Sequence, residues 1–140
     1  MKIRLATRLW PINRSITGEG VRETLRIVKE LLPDLRIHEV PSGTRVFDWT
    51  IPDEWSVREA WIDDPDGRRV VDFAKHNLHL VGYSTAVDKT LPLQELQEHL
   101  HSLPDQPSAI PYITSYYSRR WGFCLRHSDR ERMRPGNYHA

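Results

Sequence analysis

The chain of 140 residues carries 20 Lys and Arg against 19 Asp and Glu, a formal net charge of +1. That length suits one domain, or a small domain with part of another, and the near balance of charge argues against a partner bound through nucleic-acid phosphates. One cysteine excludes an internal disulfide framework and fits a reducing, cytoplasmic compartment, and no apolar run reaches the ~20 residues of a membrane span.

The start, MKIRLATRLW, is too short and too polar for a secretion signal. Prolines and glycines recur along the chain, so short elements of mixed type are expected. After NRSITGEG, Val21, Leu25, Val28 and Leu32 recur at helical spacing until Pro33 ends the run. Ser15 or Thr17 is the expected N-cap, because a side-chain oxygen there can accept a free backbone N–H. LRIHEV alternates apolar and polar residues up to the turn PSG, and RVFDWTI follows as a second strand candidate.

VREAWIDD, PDG and RRVVDF together predict a β-hairpin that turns at Asp66-Gly67. LHLVGYS is a further strand candidate. LPLQELQEHLHSL predicts an amphipathic helix with Pro92 in its first turn and Leu93, Leu96, Leu100 and Leu103 along one face. PYITSYYSRRWGFCLRH predicts an aromatic hairpin with an arginine turn. SDRERMR opens with a capping box from Ser128 to Glu131. Tyr138 then begins a strand, and the chain stops two residues on. That suggests a polypeptide cut inside a larger domain, with a frayed natural terminus as the alternative.

Seven histidines invite a metal site. A hydrolytic zinc centre needs three or more converging ligands and an open position for water. His99 and His101 diverge on the expected helix, His76 and His79 fall on a loop and a strand, and neither H-E-x-x-H nor C-x-x-C occurs. Cys124 and His127 lie three apart, which on a strand places them on opposite faces, so a thiol–imidazole dyad is not expected. Asp63, Asp64 and Asp66 read as a hairpin turn rather than paired catalytic carboxylates. SITGEG precedes a helix without the lysine of a phosphate loop. Arg119 and Arg120 beside Tyr116, Tyr117 and Trp121 can stack bases, but the chain lacks the matching basic excess.

Several phrases, RSITGEGVRETL, HEVPSGTRVFDWTIPDEW, NLHLVGYS, LHSLPDQPSAIPYITSYYSRRWGFC and PGNYHA, resemble the N-terminal part of bacterial zinc-aminopeptidase-like proteins associated with surface-polysaccharide biosynthesis. The resemblance implies an α+β fold. Residues 1–34 would be the helical start of an α/β zinc-exopeptidase-like domain, 35–127 a small, mainly β inserted domain, and 128–140 the return towards the first strand of the main domain. It implies metal-assisted hydrolysis of a peptide or amide bond in the intact protein. The zinc ligands would follow Ala140, so this chain alone is expected to be inert and to hold no cofactor. Its expected partners are the remaining part of the aminopeptidase-like domain and, in a homo-oligomer, further copies of the protein, with neither nucleic acid nor membrane.

Two roles for the inserted domain follow from that resemblance. In the first, Tyr112, Thr114, Tyr116, Arg119, Arg120 and Trp121 line the approach to a substrate: arginines hold a carboxylate or an acidic sugar, and aromatic faces stack on a ring. In the second, the domain is a non-catalytic assembly module whose aromatics make dimer contacts.

Overall fold

The computed structural model describes residues 2–116 and 118–140. The chain forms two compact units, residues 1–57 and 58–140. Among the described residues, no helix is long and apolar enough to cross a membrane.

The first unit begins with a helix that periodicity did not flag, α1 (Lys2–Leu9). The Arg14 guanidinium donates to the Leu9 carbonyl at 2.7 Å and so satisfies its C-terminal end. Arg8 pairs with Glu30 at 2.7 Å. Helix α2 (Glu19–Leu31) is the one read from the apolar spacing, and it ends two residues before Pro33. Its N-cap is Gly18, at φ 94°, rather than Ser15 or Thr17. The Ser15 hydroxyl instead donates to the Thr17 carbonyl, and the Thr17 hydroxyl accepts from the Trp55 N–H at 3.3 Å. Both expected caps are therefore spent on holding the loop.

RVFDWTI is not one strand. It folds back on itself as β1 (Arg45–Val46) and β2 (Trp49–Thr50), with Phe47 at φ 52° in the turn. LRIHEV forms no strand, since no described segment pairs with it, and Ile37 and Val40 are exposed. Alternation alone does not make a ladder. Among the described residues of this unit, Ile27 is the only buried apolar side chain, whereas Ile3, Trp10, Phe47 and Trp49 are exposed.

The second unit holds the expected hairpin, β3 (Trp61–Asp63) and β4 (Arg69–Asp72). Asp64 Oδ1 accepts from the N–H groups of Asp66 and Arg68, both at 2.9 Å, and Gly67 supplies the positive φ of 74°. The Asp63–Asp66 cluster is thus a turn, as its spacing suggested. Strands β5 (Thr90–Pro92) and β8 (Asn137–His139) complete a four-stranded sheet of order β4-β3-β8-β5, antiparallel throughout. Tyr138 does lie on a strand, one residue after its start, and that strand lies inside this sheet.

The leucine-rich stretch departs from the expected helix. After β5 it makes one turn, α3 (Leu93–Leu96), then a 3-10 turn (Gln97–His99), then β6 (Leu100–His101). Pro92 precedes the helix rather than occupying its first turn. Leu96 and Leu100 are buried but Leu103 is exposed, so the four leucines share no continuous face. Strand β6 pairs in parallel with β7 (Phe123–Cys124), and this pairing replaces the aromatic hairpin expected over 111–127. LHLVGYS is a 3-10 turn (Asn77–His79) followed by two isolated bridges, not a strand. Helix α4 (His127–Glu131) starts one residue before the expected cap and has no side-chain cap, so the Ser128–Glu131 box is not formed. The core gathers Ile62, Val71, Leu96, Leu100, Phe123, Leu125 and Tyr138, joining both sheets of the unit.

Candidate functional site

Residues 80–85 and 113–122 are laced together, and this lacing positions the side chains singled out from the sequence. The Gly82 N–H donates to the Ile113 carbonyl at 2.9 Å, and the Ser115 N–H returns to the Gly82 carbonyl at 2.8 Å. Val81 and Thr85 donate to Gly122 and Arg120, each at 3.0 Å. The buried Ser115 hydroxyl lies 3.2 Å from the Gly82 carbonyl and 3.1 Å from that of Tyr83. Buried backbone groups in an irregular segment need such partners.

The six expected site residues separate into two groups. Tyr112, Tyr116, Arg119 and Arg120 are exposed. Thr114 and Trp121 are engaged by the fold: the Thr114 hydroxyl donates to the Gly82 carbonyl at 3.3 Å, and Trp121 stacks on His99 with ring centroids 3.7 Å apart. His99 Nδ1 also lies 3.1 Å from the Trp121 carbonyl. Arg120 donates to the Thr114 carbonyl at 3.3 Å, which ties one edge of its guanidinium to the loop. Tyr117 lies outside the described residues. Sequence reasoning missed Tyr83, whose ring lies 5.3 Å from that of Tyr116; thirty-three positions separate them, so no local spacing announces the pair.

Cys124 is buried, and burial pushes its thiol up to about 11, so it is not a nucleophile at neutral pH. His127 does not approach it as a base, because its Nδ1 lies 2.9 Å from the Ser102 hydroxyl. The carbonyl of Cys124 meets His79 Nδ1 at 2.7 Å. Burial lowers the pKa of His79, and burial reinforced by Arg120, Arg130 and His99 lowers that of His101. Both rings are therefore favoured neutral in the fold.

A pH dependence follows. The folded-state pKa values lie below the ordinary 6.5, so the stabilisation is complete above pH 6.5. It is lost as pH falls from 6.5 through the folded values, because the unfolded chain takes up those protons more readily. The urea midpoint of the second unit is expected to drop between pH 7.5 and 5.5, above the range in which carboxylates titrate. An unchanged or higher midpoint at pH 5.5 would contradict this account.

Among the described residues, no group of three or more His, Cys, Asp or Glu side chains converges as a metal site. His76 Nδ1 accepts from the Leu78 N–H, while His79 and His99 face backbone carbonyls. This donor set does not fit a hydrolytic zinc centre.

What the fold defines is a small α+β domain on an antiparallel sheet, carrying a laced loop surface of tyrosines and arginines. The chain belongs to the family described as "Domain of unknown function (DUF2172)", which matches residues 54–140. It is 50% identical over 121 residues to a Clostridium acetobutylicum protein named "Putative polysaccharide biosynthesis protein with aminopeptidase-like domain", covering 86% of this chain and 28% of that protein. A crystal structure of a "putative peptidase" from Clostridium acetobutylicum shares 46% identity and a TM-score of 0.93, covering 97% of this chain and 32% of that one. The resemblance read from the sequence phrases holds, as does the α+β fold. The chain spans about a third or less of the length of these relatives.

Proposed function

We propose that this chain is the DUF2172-bearing part of a cytoplasmic, zinc-dependent aminopeptidase-like hydrolase associated with polysaccharide biosynthesis, and that it is inert by itself. Cleavage of a peptide or amide bond belongs, in this reading, to the aminopeptidase-like segment that makes up the rest of the relatives' length. That segment is its partner, with self-association of the whole protein and no role for nucleic acid or membrane.

The observation that carries the reading is the imbalance of burial in the first unit. Among the described residues there, nine large apolar side chains are exposed against one buried, which leaves apolar surface for a partner segment to cover. Tyr112, Tyr116, Arg119 and Arg120, with Thr114 and Trp121 behind them, line the approach to the substrate.

The purified chain, incubated with zinc and aminoacyl chromogenic amides, is expected to release no chromophore and to retain less than stoichiometric zinc after dialysis. One tightly held zinc per chain, or measurable turnover, would overturn the claim that it is inert. Supplying the remaining segment of a full-length relative in trans is expected to yield a complex; failure of the two to associate would count against the shared fold.

A further inference from the structure

The stretch from Arg36 to Thr50 is the least covered part of the first unit. Of its fifteen residues only Thr44 and Val46 are half-buried, and the rest are exposed. It contains the β1–β2 hairpin, a two-stranded sheet that no third strand joins among the described residues. Two strands alone are marginally stable in water. The Gly43 N–H donates to the Ile51 carbonyl at 2.9 Å and closes the base of the hairpin. A Cβ added at Gly43 would meet no described atom within 4 Å, so the base too lies in open space.

The tip carries a further cost. Val46 and Trp49 pair across a loop of two residues, Phe47-Asp48, whose first position has φ 52°. Glycine is the usual occupant of a positive-φ first position in such a turn, and a phenyl side chain is strained there. Burial could offset that strain, yet Phe47 is 93% exposed. Ile37, Val40 and Trp49 on the same stretch are exposed as well. The chain thus holds a strained aromatic that its own fold does not cover, and strain of this kind accompanies contact sites.

Charge and length narrow what covers it. Arg36 and Arg45 offset Glu39 and Asp48, so the stretch has no formal charge with which to attract an anionic surface. What it presents is an apolar wedge, and a wedge fits an apolar cleft. The two relatives carry about two thirds or more of their length outside the region this chain matches. A cleft on the same polypeptide is met at high effective concentration, which favours it over a cleft on a second copy.

We propose that residues 36–50 form a docking arm whose Phe47 enters an apolar cleft of the aminopeptidase-like segment carried by the relatives. This rests on the reading that such a segment is the chain's partner, and it names the element that grips it. The strain at Phe47 is then the cost of holding the ring outward before the partner arrives.

The test mixes the full chain with the remaining segment of a full-length relative and follows association by calorimetry, with urea midpoints taken on the chain alone. The parent chain is expected to associate. Phe47→Asn is expected to bind at least about tenfold more weakly, while its midpoint stays the same or rises, because Asn tolerates positive φ. Phe47→Leu keeps both the apolar bulk and the strain, so it should bind like the parent with no gain in midpoint. A parent chain that does not associate would overturn the partner reading and the arm with it. Undiminished binding by Phe47→Asn, where the parent does associate, would overturn the arm alone. A lowered midpoint for Phe47→Asn would refute the strain argument. A chain that dimerises by itself, and no longer does so as Phe47→Asn, would assign the arm to a second copy and overturn the occupant proposed.

Discussion

Tyr138→Ala is expected to unfold the second unit under conditions in which the parent chain is folded. Tyr138 is 2% exposed, sits in β8 opposite Leu91 of β5, and packs in the cluster that joins the two sheets. Truncating a buried aromatic to alanine costs about 3–5 kcal/mol, from lost transfer energy and the cavity left behind. A small domain has about 5–15 kcal/mol in total, so one such change consumes much of it. The phenol adds a second contribution: its hydroxyl donates to the Arg134 carbonyl at 2.9 Å and accepts from the Arg134 N–H at 3.0 Å. Tyr138→Phe keeps the ring and removes only these bonds, so a loss of about 1–3 kcal/mol is expected. Urea unfolding followed by tryptophan fluorescence separates the two variants. An alanine variant no less stable than the phenylalanine one would show that the ring is not the centre of this core.

Gly20→Ala reverses an ordinary rule. In a helix, replacing glycine by alanine usually stabilises by about 1 kcal/mol. Gly20 lies in the first turn of α2, where an added Cβ would run into the backbone carbonyl of Asn13 and press on Ile12. A carbonyl in a bonded loop cannot rotate away as a flexible side chain can. The expected outcome is a loss of about 1–3 kcal/mol, the usual cost of overpacking. Glu23→Ala, exposed on the same helix, is the control and should stay within about 0.5 kcal/mol. Amide exchange along α2 reads both. Faster exchange only in Gly20→Ala is the expected pattern, and slower exchange there would refute the close approach.

The sequence spoke clearly where the cause of structure is local. The apolar spacing from Val21 to Leu32 gave α2, and Asp66-Gly67 gave the β3–β4 turn, because periodicity and positive φ act within a few residues. It misled where tertiary pairing decides. Leu93 to Leu103 carries helical spacing, yet Leu100 is drawn into a parallel pair with Phe123, and the helix stops after one turn. LRIHEV alternates like a strand but meets no partner strand among the described residues. The exposed tyrosines and arginines were legible by composition, whereas Tyr83 was not, since only folding brings it to Tyr116. Of the expected site, Trp121 and Thr114 turned out to be held by His99 and Gly82, contacts that no spacing encodes.

The order of the main sheet also sets a timetable for biosynthesis. Strand β8 lies between β3 and β5, although it is the last of the four to be made. While the ribosome is still adding residues 93–136, β3 and β5 each wait with an open edge, and Leu91 lacks the tyrosine it will face. Long-range pairings of this sort form slowly and only once both partners exist. A nascent chain arrested before Asn137 would therefore be a sticky intermediate, and release of the last strand from the exit tunnel is the event that seals the domain.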